Sequence, residues 1–465
     1  MILKTGLFAF FILLPFLSGS QDLDTGKQYP AQQLQEDFLF LRHKMENNNV
    51  NLYLYNSKKT IDSVFDALYA GINKPMTATG FYFYATAIQP YIKDGHNYLL
   101  PSKAWQNYYA ANALYFPINF TEYEGKIYVT QNFSDNNAIE TGDEIKMING
   151  EQAIDKFNLL VAHQVRDGDN LLYPKYISQT YFRSYHGFLF GFPELYQLEI
   201  IKADGKKIST TVNALKLAEI RQKRQSVISP RYDRVNFDTG ISWQINNAGN
   251  YALLNIRSWS NNILKSDYNQ HFKPTINKFI EDLKANEPRH LIIDLRGNQG
   301  GDGENGIYLL RYLLDKPFNY FYSVKAYNSS LQLKNAASLL TKTYYPMDYI
   351  FKGDVYVLTD GGSFSNSAIF ANLIQVLKRG KTVGGETGGN GVVLSGGDGY
   401  FVAPHTAINL LKVTNQMITT NSIINSGSGV KPDMAIQPTL QQILNNDDIV
   451  LKQLLKLIEQ APPGK

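Results

Sequence analysis

The sequence predicts an α/β chain built as a helical N-terminal region, a small β-rich module and a C-terminal α/β domain. Three observations predict it. Apolar residues recur at helical spacing up to about residue 94, alternate with polar ones after about residue 100, and fall into strand-then-helix patterns from about residue 251. The 465 residues, 44 % of them apolar, suffice for more than one core. The 31 Tyr and 26 Phe read as core filling, with an aromatic sugar platform as the minor alternative.

Residues 1–20 place Lys4 before an apolar run from Leu7 to Leu17, then the small residues Ser18, Gly19 and Ser20. This is the pattern of a secretory signal peptide, with cleavage expected before Gln21; a retained anchor is the weaker reading, because the run is short and Pro15 interrupts it. The expected location is periplasmic or extracellular, with no stable membrane anchor after cleavage. Residues 21–112 form the helical region. Leu34, Phe38, Leu41 and Met45 make one stripe, Ile61, Val64, Phe65, Leu68 and Ile72 a second after Thr60 as N-cap, and a third helix is expected over about 79–91.

Residues 113–212 form the β-module, with Ile118 and Phe120, Ile127 and Val129, and Leu198 and Ile200 alternating around the turns Glu124-Gly125 and Asp204-Gly205. Residues 213–234 carry Lys216, Arg221, Lys223, Arg224, Arg231 and Arg234 and read as a basic linker or solvated helix. Residues 235–465 are the α/β domain, with strands expected over 252–256, 291–295 and 355–358 and helices over 307–314 and 368–377.

Composition narrows the chemistry. With no cysteine, disulfides, cysteine-ligated metal and thiol nucleophiles are excluded. A balance of 45 Lys and Arg against 41 Asp and Glu gives no basic patch suited to nucleic acid. The sequence holds no His-Glu-x-x-His and no histidine pair at i and i+4, so no metal is expected; no phosphate loop is present, and no cofactor is expected.

The most informative segment is residues 354–370. A strand enters a Gly361-Gly362 turn, Ser363, Ser365 and Ser367 follow, and a helix begins. A hydroxyl there faces unpaired N–H groups that favour an oxyanion; plain N-capping is the competing explanation. The stretch Asp294-Leu-Arg-Gly-Asn-Gln-Gly-Gly301 leaves a strand in a glycine turn whose N–H groups can face a carbonyl, or which only reverses the chain. A third turn is Asp94-Gly-His96, whose histidine alone is more often a hydrogen-bonded surface residue.

Together with Gly385-Glu-Thr-Gly-Gly389 and Gly429-Val-Lys-Pro-Asp433, these segments resemble the C-terminal-processing, or tail-specific, serine peptidase family, and they occur in that family's order. The stretch Thr141-Gly-Asp-Glu-Ile-Lys-Met-Ile-Asn-Gly150 resembles part of a PDZ domain, a module that adds an extended peptide to a sheet edge. The family resemblance implies a crotonase/ClpP-like α/β core and a polypeptide substrate. Carried over by position, the nucleophile falls on Ser365, and the oxyanion hole on the backbone N–H groups of Asn366 and of Gly300 or Gly301.

The general base separates the family's branches. Where classical members place a lysine this chain has Asn390, and Lys378 lies thirteen residues beyond Ser365, about 20 Å along a helix. The branch resembling the tricorn core peptidase uses the histidine of the Asp-Gly-His turn, which here is His96. Two departures stand out. Asn97 replaces a usual threonine, and the carboxylate expected to orient the histidine aligns near Ser426, with Glu386 as the substitute. The function expected is an exported serine endopeptidase. The rival is a catalytically silent relative that binds peptide or a small ligand, as the retinoid-binding proteins of the photoreceptor matrix resemble this core while acting as carriers.

Overall fold

The computed structural model describes residues 23–225, 239–327, 331–336, 338–419 and 427–460. The leader at 1–20, the end of the basic stretch and Ser426 lie outside them. No helix among the described residues is long and apolar enough to cross a membrane.

The first two helices, Ala31–Asn48 and Lys58–Gly71, bury the expected stripes, with Leu34, Phe38, Leu41, Met45, Ile61 and Phe65 inside. The second begins earlier than Thr60 suggests. Ser57 is its N-cap, and its hydroxyl accepts the Thr60 N–H at 3.2 Å. The third helix, Ala78–Thr86, stops short of the expected length, and a separate turn, Gln89–Ile92, ends at Lys93 in left-handed conformation. That interruption swings the chain into the 94–97 turn.

An antiparallel sheet follows, ordered Lys207–Asn213, Leu195–Ile201, Glu144–Ile148, Lys126–Asn132, Ile118–Tyr123. Its alternating residues Ile118, Phe120, Ile127, Val129, Leu198 and Ile200 are all buried. The helices Ala153–Ala162, Leu172–Thr180 and Phe182–Phe190 interrupt this stretch. Sequence periodicity does not separate them from the β pattern, because each is only nine or ten residues long and the last two carry aromatic residues that suit either period. Phe157, Leu160 and Phe182 pack on the sheet in a hydrophobic cluster that reaches back to Tyr29.

The C-terminal part is built on a six-stranded sheet ordered Ile241–Asn246, Tyr251–Ile256, His290–Asp294, Asp354–Thr359, Lys381–Gly384, Met434–Ala435. The first pair is antiparallel and the rest parallel. Alternate residues go to opposite faces, as a two-sided buried sheet requires. Leu254, Ile293 and Val357 pack under the helices Phe272–Asn286 and Asn366–Val376, while Leu253, Ile292 and Leu358 meet the helix Ile449–Glu459.

The N-terminal turn is fixed onto this domain. Leu99–Leu100 pairs with Asn409–Leu411, and Asp37, fully buried, accepts the N–H groups of His405 and Thr406 and the Thr406 hydroxyl.

Candidate active site

The strand Asp354–Thr359 delivers the chain to a turn in which the three serines do different work. Ser363 Oγ donates to the Leu295 carbonyl at 2.8 Å and accepts the Asp360 N–H, tying this turn to the neighbouring strand. Ser367 Oγ accepts the Trp259 indole N–H at 2.9 Å. Ser365 stands at the helix start with φ 55° and makes no side-chain cap, so N-capping does not account for it. A left-handed φ on a non-glycine residue costs about 1–3 kcal/mol and persists only where the surroundings enforce it. Here it turns Oγ out of the helix and toward His96 Nε2, 3.1 Å away.

His96 arrives from the N-terminal region, and its turn is built for burial. Asp94 Oδ1 accepts the His96 N–H at 3.0 Å, and Gly95 passes so close to Phe364 that a Cβ there would lie 2.6 Å from the ring. The imidazole stacks on Phe364 with centroids 5.0 Å apart, and Tyr173 also stacks on Phe364, at 3.8 Å. Asn97, the departure from threonine, is buried. Its Oδ1 accepts from Asn49 and its carbonyl from Gln89, so it holds the turn's backbone. Burial lowers the His96 pKa to about 3, so the ring is neutral at pH 7 and can accept a proton at Nε2.

The glycine turn lies beside the serine. A Cβ on Gly300 would sit 2.6 Å from that of Ser365, which explains the residue choice. The Gly300 N–H donates to Asn298 Oδ1 at 2.9 Å, so of the alternatives Gly300 and Gly301 it is the engaged one. The N–H groups of Gly301 and Asn366 take no partner among the described residues, and both residues line one small cavity with Ser365. The Asn366 side chain is fixed by the Tyr320 hydroxyl and the Asp302 carbonyl. Arg296 holds the base of the loop, binding Asp294 and Asp448 with paired hydrogen bonds.

Of the residues weighed as orienting groups, Glu386 is not brought to His96 by any hydrogen bond described. Glu386 Oε1 accepts the Gly429 N–H at 2.8 Å, and Ser426 lies outside the described residues. Asn390, at the lysine position, bonds Tyr55 through Nδ2 and gives its N–H to Asp167 Oδ2. Lys378 lies beyond the end of the serine helix at Val376.

Two carboxylates that the motifs left without a role do flank the imidazole. Asp94, Asp167 and His96 bring one donor atom each to within 4.8 Å of one another, all three buried, the one such trio among the described residues that could hold a cation. Asp167 is already engaged by the Gly95 and Asn390 N–H groups. Burial, with the charge of Asp94 adding to it, raises its pKa to about 7. Its surroundings in sequence, Arg166-Asp-Gly-Asp-Asn170, read as a surface turn. Ser395, which donates to Asp94 Oδ1 at 2.5 Å, carried no signal either.

A cavity of about 900 Å³ opens elsewhere, between the 118–141 strands and the 438–450 segment, and neither Ser365 nor His96 lines it.

Residues 250–436 match the model of peptidase family S41. A probable CtpA-like serine protease of Staphylococcus saprophyticus is 27 % identical over 184 residues, 37 % of this chain and 34 % of that protein. The carboxy-terminal processing protease CtpB of Bacillus subtilis is 24 % identical over 291 residues, 57 % of each chain. The chain thus spans about a third of the length of the CtpA-like relatives it matches. In fold it is similar to mature CPAF complexed with lactacystin, with a TM-score of 0.68 at 13 % identity, covering 92 % of this chain and 98 % of that one. The strands, glycine loop and serine helix assembled over residues 250–436 are a peptidase family S41 domain.

Proposed function

We propose that the chain is an exported serine endopeptidase that cleaves extended or C-terminal polypeptide segments through a Ser365 acyl-enzyme, with His96 as general base. The observation that carries this reading is the 3.1 Å approach of His96 Nε2 to Ser365 Oγ across 269 residues of sequence. In the acylation step Oγ bonds to the scissile carbonyl carbon while its proton passes to Nε2 and the carbonyl π pair moves to oxygen. The N–H groups of Asn366 and Gly301 receive that oxygen; losing one such donor costs ~10²–10³ in rate. The imidazolium then protonates the leaving amine as the C–N bond breaks, and water repeats the sequence on the ester.

The cavity beside Ser365 has an apolar wall of Phe321, Leu340, Leu394 and Met417. The match to a carboxy-terminal processing protease supports the C-terminal preference. Export rests on the residue 1–20 pattern. The same reading divides the chain at 21–112, 113–212, 213–234 and 235–465, with a PDZ-like module second and a crotonase/ClpP-like core last.

Replacing Ser365 with Ala should abolish hydrolysis of a quenched peptide pool and leave the circular dichroism spectrum unchanged. A serine-directed phosphonate should label the wild type at Ser365 alone. Full turnover in Ser365→Ala overturns the assignment.

A further inference from the structure

The imidazole in this site has one nitrogen accounted for and one not. If Nε2 is to accept the Ser365 proton, the ring's own proton sits on Nδ1. Nδ1 is buried and meets no hydrogen-bond partner, and the same is true of Asp94 Oδ2. Leaving a buried donor or acceptor unpaired is costly, because the group has given up its hydrogen bonds to water and gained none. Nδ1 lies 4.0 Å from Asp94 Oδ1, about one ångström beyond a hydrogen bond. Catalytic hydrogen bonds are often long in the free enzyme and tighten in the substrate complex.

The surroundings hold Asp94 in place for this. Its Oδ1 accepts from Ser395 Oγ and from the His96 N–H, while Glu386 is committed to Gly429. Asp167 stands behind, its two oxygens taken by backbone N–H groups of Gly95 and Asn390. We propose that Asp94 is the positioning residue for His96: its carboxylate accepts the Nδ1 proton, fixes the tautomer that leaves Nε2 open to Ser365, and balances the imidazolium formed during acylation. Burial raises Asp94 and Asp167 alike, and the Ser395 hydroxyl and the His96 N–H on Asp94 Oδ1 act against it by favouring the carboxylate form. The other titratable groups near the pair are Tyr55 and Tyr98, both pushed up by burial, and Asp169, which pairs with Lys93. None of these is a cation facing the ring.

This inference rests on the Ser365 and His96 reading, and one set of measurements on the full chain separates the two. Asp94→Asn should lower kcat by about 10²–10⁴ with KM held within a few-fold, a loss expected when the tautomer is wrong. The acidic limb of kcat/KM should move to lower pH, because the imidazolium loses its counter-charge. Asp167→Asn should give the smaller loss of the two. Nitrogen NMR of the wild type, which does not depend on a variant folding, should place the His96 ring proton on Nδ1 at neutral pH. A proton on Nε2, or an Asp94→Asn enzyme with kcat within twofold and an unmoved acidic limb, overturns the proposal. If Ser365→Ala or His96→Ala retains wild-type turnover, it is the catalytic reading that fails.

Discussion

Ser365 pays for its orientation in backbone strain. At φ 55° a β-branched side chain is disfavoured more than serine, and glycine not at all. Ser365→Gly should therefore unfold at a higher temperature than Ser365→Ala, by about 0.5–1 kcal/mol in calorimetry. Ser365→Thr, though it keeps a hydroxyl, should lose both stability and turnover. The ionisable residues of the site set opposing pH slopes. His96 is depressed in the fold, so its contribution is present above about 6.5 and is lost as pH falls toward about 3. Asp167 is raised, so its contribution is present below about 3.8 and is lost as pH rises through about 7. Between these limits the two largely cancel. Asp167→Asn removes the second slope, and its melting temperature should then rise more steeply than that of the wild type from pH 4 to 7.

At the scale of elements, the glycine loop depends on one cation. Arg296 is buried between Asp294 and Asp448, whose carboxylates hold its pKa well above the ordinary value against the opposing effect of burial. Asp448 also accepts the Leu451 N–H at the start of the helix Ile449–Glu459. Asp448→Ala strips a partner from a buried charge and removes that cap, and should destabilise the chain by about 3–5 kcal/mol in urea unfolding. Elements of this kind were legible in the sequence where one period dominated: the stripe from Leu34 to Met45 and the buried run at residues 290–294 fall where spacing predicted. The Phe182–Phe190 helix was not, since aromatic residues suit either period. Within the site, His96 and Ser365 were legible because each sits in a turn of distinctive composition. Asp167 and Ser395 were not, because their roles are contacts with Gly95 and Asp94 across 72 and 301 residues, and spacing carries no information at that range.

At the scale of the molecule, the site is a seam. Asp37 touches neither Ser365 nor His96 in any hydrogen bond described, yet it ties the first helix to His405 and Thr406 of the C-terminal part. Asp37→Ala leaves those donors unpaired, and should lower both the melting temperature and kcat, since an ångström of slip at the seam can cost about 10² in rate. A side-chain pair separated by 269 residues also has a consequence in time. During synthesis His96 emerges long before Ser365, and the strand Met434–Ala435 that completes the sheet comes later still. The pairing of these two side chains is therefore a late event, which waits on the order in which the residues are joined.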